Sequence, residues 1–245
     1  MRVVDRLTKN NNIETLSGNF KNSVPAPMIV IDDFLPEDVA RDLSKEIDLI
    51  DKDLCRKFTR NGSYMEECND VSLMPKAYPI ISELHSQPFM KWLNQLTGIK
   101  YLIPDPYLVG AGYSRSFKGD SLKNHVDFNW NDSLKLYRAL TIVIYLSEDW
   151  DESWGGHLEF SNFDNLSNLN TILVKWNRAV IWQHHENCFH GYPKPIECPE
   201  GHSRKTLRLF YYTSNQEPSS DHLPHRSLYW IDQTTGKPTD NKLDE

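Results

Sequence analysis

Cysteine is scarce: Cys55, Cys68, Cys188 and Cys198 are the only four in 245 residues. So few thiols cannot staple a chain of this length, and reduced thiols in a cytoplasmic protein are the expectation. Long apolar runs are missing as well. No stretch approaches the roughly 20 residues that span a bilayer as a helix, so no membrane partner is expected. The opening MRVVDRLTKNNNIETL lacks the apolar centre of a secretory signal. Basic residues are outnumbered, with 27 Lys and Arg against 34 Asp and Glu and a formal net charge of −7. There is no basic run and no lysine-rich helix face, which argues against nucleic acid as a partner and mildly favours a neutral or basic substrate. No internal repeat is visible.

What is present suits one large domain with extensions. Hydrophobic residues make up 39 % and aromatics 11 %, enough for a sizeable core. Residues 1–24 are polar, Asn-rich and aperiodic, so they read as a loosely packed arm. A domain over 25–214 follows, with a β core from about 100 to 214. Residues 215–245 form a C-terminal extension whose GKPTDNKLDE looks frayed. Within the domain, MIVIDDF reads as a strand. LPEDVARDLSKEIDLI reads as a helix, with Pro36 in its first turn and Val39, Leu43, Ile47 and Ile50 at helical spacing. QPFMKWLNQLTG reads as a second helix, with Ser86 as cap and Gly98 as stop. Beyond residue 100, YLIPDPYLV, RALTIVIYL, GGHLEF, NTILVKW, RAVIWQ and KTLRLFYYT read as strands separated by turns. The class is mainly β (α+β), a double-sheet jelly roll or a barrel, with the early helices outside one sheet.

Three His-x-acid triplets are candidates for metal binding: His125-Val-Asp127, His157-Leu-Glu159 and His184-His-Glu186. Residues i and i+2 of a strand point the same way, so each triplet can present two ligands together. Two imidazoles and one carboxylate on one side of an iron leave positions open for a cosubstrate and dioxygen. His190, in FHGYP after RAVIWQ, is a candidate third ligand, and Arg204 opens the strand RKTLRLFYY.

His125-x-Asp127, His190 and Arg204, in that order, resemble the signature of the Fe(II)- and 2-oxoglutarate-dependent dioxygenases. The prolyl-4-hydroxylase-like branch is the nearest match. The resemblance runs from about Tyr107 to Thr213 and includes RALTIVIYLSEDWDESWGGHLEF and RAVIWQ…FHGY. It implies a double-stranded β-helix with N-terminal helices on one sheet. Its implied metal ligands are His125, Asp127 and His190, and its implied cosubstrate partner is Arg204, which would grip the far carboxylate of 2-oxoglutarate. Arg208, on the same strand face, is the rival for that role. Tyr145 and Tyr113 match the family's tyrosines beside the cosubstrate. In GGHLEF the site-facing position corresponds to Leu158, which turns His157 and Glu159 away.

The implied activity is hydroxylation of an unactivated C–H bond by dioxygen, with 2-oxoglutarate converted to succinate and carbon dioxide and with ascorbate as a candidate reductant. Relatives that halogenate usually carry a small residue in place of the carboxylate, so Asp127 favours hydroxylation. The implied substrate is a peptidyl proline, a free amino acid or another small molecule. Two non-enzymatic readings stay open at this point. One is a jelly-roll binding module. The other is a zinc-stabilised interaction domain built from His184, Cys188, His190 and Cys198.

Overall fold

The computed structural model describes residues 2–60, 62–162, 170–214 and 223–229. Five α-helices are found among them: α1 (Val3–Asn10), α2 (Ile13–Lys21), α3 (Glu37–Leu49), α4 (Ala77–Leu84) and α5 (Gln87–Thr97). The larger of two antiparallel sheets holds β1 (Met28–Ile31), β2 (Arg56–Arg60), β3 (Ser63–Cys68), β4 (Ile103–Pro104), β5 (Gly112–Ser116), β7 (Trp130–Asn131), β8 (Leu136–Tyr145), β11 (Ala179–Gln183) and β13 (Arg204–Thr213). Its main path is β1-β11-β8-β13-β5-β3-β2. The smaller sheet holds β6 (Leu122–Val126), β9 (Leu158–Ser161), β10 (Asn170–Ile172), β12 (Phe189–Tyr192) and β14 (Leu228–Tyr229), in the order β10-β9-β12-β6-β14. This is the double-stranded β-helix, with no closed barrel.

Period-two alternation divides β8 and β13 between two cores. Ile142, Ile144, Leu207 and Leu209 point outward and are buried with Leu43, Ile47, Phe89, Leu93 and Leu96 of the helices. Val143, Tyr145 and Trp182 point inward, against Leu158 and Phe160 of the smaller sheet. The helices therefore cover the outer face of the large sheet, and the space between the sheets is left for chemistry. α5 ends at Gly98, whose φ of +80° is the left-handed conformation a helix stop requires. Ser86 precedes α5 but its side chain caps nothing.

Two expectations need correction. Residues 1–24 are not a loose arm, because they hold α1 and α2, and Val3, Val4, Leu7 and Phe20 are buried in the helix-side core. Each such side chain contributes roughly 1.5–3 kcal/mol on burial, which offsets the polar composition around it. YLIPDPYLV is mostly turn, and only Ile103 and Pro104 pair with β13. The Asp105 carboxylate accepts from the amides of Tyr107 and Val109, at 2.9 and 3.0 Å, and curls the segment instead. GKPTDNKLDE lies outside the described residues.

Candidate metal centre

His125 on β6 and His190 on β12 face each other across one rung of the smaller sheet, with ring centroids 4.6 Å apart. Asp127, two residues beyond His125, completes the group. His125 Nε2 lies 3.6 Å from Asp127 Oδ1, and His190 Nε2 lies 3.3 Å from Asp127 Oδ2. All three residues are buried. Gly191 makes the close approach possible, since a Cβ there would stand 2.6 Å from the Leu122 carbonyl oxygen.

The tautomers follow from the partners. His125 Nδ1 faces the Lys123 carbonyl at 2.9 Å, and His190 Nδ1 faces the Cys188 carbonyl at 3.4 Å. A carbonyl only accepts, so each Nδ1 carries a hydrogen, and Nε2 is the atom each ring presents to Asp127. Burial pulls the His125 pKa down, against the raising effect of Asp127. Burial alone would raise the Asp127 carboxyl, but Arg138 and the two imidazoles outweigh it and hold the group well below the usual carboxylate range. Two imidazole nitrogens and one carboxylate form a donor set suited to ferrous iron.

Arg204, at the start of β13, lines the same pocket as the three converging residues. Its Nε donates to the Gly156 carbonyl at 2.7 Å and its Nη2 to the Tyr145 hydroxyl at 3.3 Å. The guanidinium stands 4.4 Å over the Tyr192 ring, whose hydroxyl bonds Ser116 Oγ at 2.8 Å. Gly156, from the Gly-Gly of GGHLEF, is required here. It has φ of +71°, and a Cβ would lie 3.0 Å from Arg204 Cδ. Among the described residues no carboxylate pairs with Arg204, whereas Arg208 Nη2 donates to Glu67 Oε1 at 2.5 Å.

Tyr113 does not reach this pocket. β5 alternates like its neighbours, so Ser114 faces inward with Thr206 while Tyr113 is buried on the helix side, donating to Glu46 Oε2 at 2.9 Å. Leu158 faces the pocket, as expected. His157 is occupied elsewhere: its Nε2 meets the Glu152 carbonyl at 2.9 Å and its Nδ1 accepts from the Val174 amide at 3.1 Å. The four-ligand zinc alternative is not assembled, since Cys198 clusters with Tyr192 and Ile196 and its thiol donates to the His202 carbonyl.

Three features escaped the sequence reading. Arg138 lies beside Asp127, with Nη2 2.8 Å from Oδ2. The third triplet has a distant partner: Glu186 sits between His184 Nε2 at 3.2 Å and His225 Nε2 at 2.6 Å. His225 Nδ1 also faces an acceptor, the Arg226 carbonyl at 2.7 Å. Two acceptors call for an imidazolium, in line with a pKa raised by Glu186 against the lowering effect of burial. This contact ties the segment 223–229 to the site loop. Tyr229, paired with His125 across β14 and β6, then stacks on its ring at 5.0 Å.

Residues 111–212 match the profile of the 2OG-Fe(II) oxygenase superfamily. Comparison with curated protein sequences returns no match. Among solved structures, the chain is similar to a prolyl hydroxylase from Trichoplax adhaerens in complex with a hypoxia-inducible-factor peptide fragment. The TM-score is 0.60 at 15 % identity, over 84 % of this chain and 92 % of that one. A prolyl 4-hydroxylase from Phytophthora capsici gives 0.59 at 19 % identity, over 86 % of this chain and 66 % of that one. HygX from Streptomyces hygroscopicus, solved with nickel, 2-oxoglutarate and hygromycin B, gives 0.52 at 13 % identity, over 76 % and 83 %. At such identities these likenesses establish the fold. The segment that matches the 2OG-Fe(II) oxygenase profile, residues 111–212, is the one that carries His125, Asp127, His190 and Arg204.

Proposed function

We propose that this chain is an Fe(II)- and 2-oxoglutarate-dependent dioxygenase that hydroxylates an unactivated C–H bond and releases succinate and carbon dioxide. One observation carries the reading. His125 Nε2, His190 Nε2 and the Asp127 carboxylate converge in one pocket with a buried guanidinium, that of Arg204, which pairs with no carboxylate among the described residues. A buried charge without a counter-charge is costly, so an anionic ligand is expected at Arg204.

His125, Asp127 and His190 would hold the ferrous ion, which when bound supplies the redox chemistry that couples dioxygen to the cosubstrate. Arg138, ion-paired with Asp127 Oδ2, steadies the carboxylate electrostatically, and Oδ1 is turned toward His125. Arg204 would grip the far carboxylate of 2-oxoglutarate with its planar fork. Burial raises the Tyr145 pKa, so its hydroxyl keeps its proton and can donate to the same carboxylate. Val143, Leu158 and Trp182 line the pocket with apolar surface and exclude water from the reacting groups.

For the substrate, the fold likeness to prolyl hydroxylases supports a prolyl-4-hydroxylase-like activity, and the likeness to HygX supports a small molecule. Ascorbate is the proposed reductant for idle turnovers.

The test is Mn(II)-dependent binding of 2-oxoglutarate by calorimetry, followed by Fe(II)-dependent succinate formation by mass spectrometry. Both are expected for the wild type, and both are expected to vanish in His125→Ala and His190→Ala. Binding of 2-oxoglutarate that ignores the metal and both histidines would overturn the reading.

A further inference from the structure

Arg204 is one of three guanidiniums lining the pocket, with Arg138 and Arg208. Arg138 is brought there by a bulge. Along the β8–β13 pairing, Tyr211 opposes Leu140 and Tyr212 opposes Arg138, so Ala139 is left over and the alternation shifts by one. Arg138 thereby joins Thr141 and Val143 on the inner face. Its side chain is only 2 % exposed, bonds Thr141 Oγ1 at 2.7 Å and lies 3.6 Å over the Phe210 ring. Arg208 is four residues past Arg204 on the same strand face, about 13 Å further along at strand spacing. Its Nη2 is taken by Glu67 and its Nη1 meets Met65 Sδ at 3.6 Å, but its Nε is buried without a partner.

The pocket lining therefore carries three guanidiniums and one carboxylate, Asp127, with Glu67 engaging Arg208 from outside the lining. A divalent metal and a 2-oxoglutarate dianion cancel each other and leave that surplus positive charge in place. Once a metal shares Asp127, Arg138 is the charge with least compensation. A monoanion in the remaining space would balance it and could accept from Arg208 Nε.

The smaller sheet adds a constraint on size. The outer edge of β6, where an extended peptide could add as a further strand, is already paired by Leu228 and Tyr229. Tyr229 covers His125, and the Arg60 guanidinium stands 5.9 Å over the Tyr229 ring.

We propose that the substrate is a small molecule bearing a free carboxylate, received by Arg138 and Arg208 at the end of the pocket away from Arg204. This rests on the dioxygenase reading above. It also reverses the mild preference for a neutral or basic substrate drawn from net charge, because the local balance in the pocket has the opposite sign to that of the chain.

The test uses the full chain loaded with Mn(II) and saturated with 2-oxoglutarate. Calorimetric titrants are the twenty free L-amino acids, each amino acid's carboxamide, a prolyl tripeptide blocked at both ends, and the same tripeptide with a free C-terminus. At least one free amino acid is expected to bind, with its carboxamide at least tenfold weaker. Arg208→Gln is expected to abolish that difference while the Kd for 2-oxoglutarate moves less than twofold. The acid–amide comparison on the wild type decides the matter if Arg208→Gln does not fold. The proposal is overturned if acid and amide bind alike, if no free amino acid binds, or if either tripeptide binds tighter than every free amino acid. Failure of 2-oxoglutarate itself to bind is a separate result and sinks the dioxygenase reading.

Discussion

Arg138 Nη2 is ion-paired with Asp127 Oδ2 at 2.8 Å, inside a pocket where both side chains are almost wholly withdrawn from water. A carboxylate held this way keeps its charge and its orientation whether or not its other oxygen is engaged. Arg138→Gln is therefore expected to weaken Mn(II) binding roughly 10- to 100-fold, the usual cost of losing a group that orients a ligand. Titration followed by electron paramagnetic resonance measures it, and an unchanged Mn(II) affinity would show that Asp127 is positioned without Arg138.

Arg204 and Gly156 give a paired prediction. Arg204→Ala is expected to raise the 2-oxoglutarate Kd at least about tenfold, the loss of a charge-assisted forked contact. Gly156→Ala, which presses a methyl group against Arg204 Cδ in a backbone conformation that disfavours it, is expected to move the same constant in the same direction. Arg208→Ala is expected to leave it within about twofold, since Arg208 is engaged by Glu67. Calorimetry on all three variants checks the assignment, and a larger effect from Arg208→Ala would reverse it.

Glu186 bridges His184 and His225 and accepts from Asn129 Nδ2 at 2.9 Å, so its loss should free the segment that carries Tyr229. Glu186→Gln is expected to cost about 1–3 kcal/mol, the scale for a part-buried charged hydrogen-bond partner. Amide hydrogen exchange at Leu228 and Tyr229 should accelerate while β8 and β13 stay protected. Uniform exchange across both sheets would mean the contact has no local role.

His85 sets a pH dependence of stability. Its ring packs edge-on to Tyr211, 6.0 Å away, and burial lowers its pKa to about 4. An unfolded histidine titrates near 6.5, so below that pH the unfolded chain takes up a proton that the folded one refuses. Stability contributed by the neutral ring is therefore present above about pH 6.5 and is lost as the pH falls toward 4. Between pH 7 and pH 5 the loss should be roughly 1–2 kcal/mol after allowance for partial exposure. Urea unfolding at both pH values, with His85→Phe lacking this share, is the measurement.

Much of the candidate site was legible in the sequence because its geometry is local. His125 and Asp127 share a strand face by spacing alone, and Arg204 and Tyr145 lie on the regularly alternating stretch where β8 and β13 pair beyond the bulge. Arg138 was not legible, since the extra residue Ala139 breaks that alternation and nothing in RALTIVIYL signals the break. Tyr113 was placed on the wrong face because one step along β5 separates the pocket from the helix-side core. The N-terminal helices were hidden by their short apolar stripe within Asn-rich surroundings. His225 and Tyr229 reach the site through contacts with Asn129 and His125, about a hundred residues away in the chain, which no local pattern encodes.

His125 and His190 occupy the same rung of the ladder between β6 and β12. Strand register and ligand geometry are consequently one property here: a slip of a single residue would turn an imidazole to the opposite face. A cation gripped by both rings would act as a rivet between neighbouring strands, opposing the very slippage that would dismantle its own coordination.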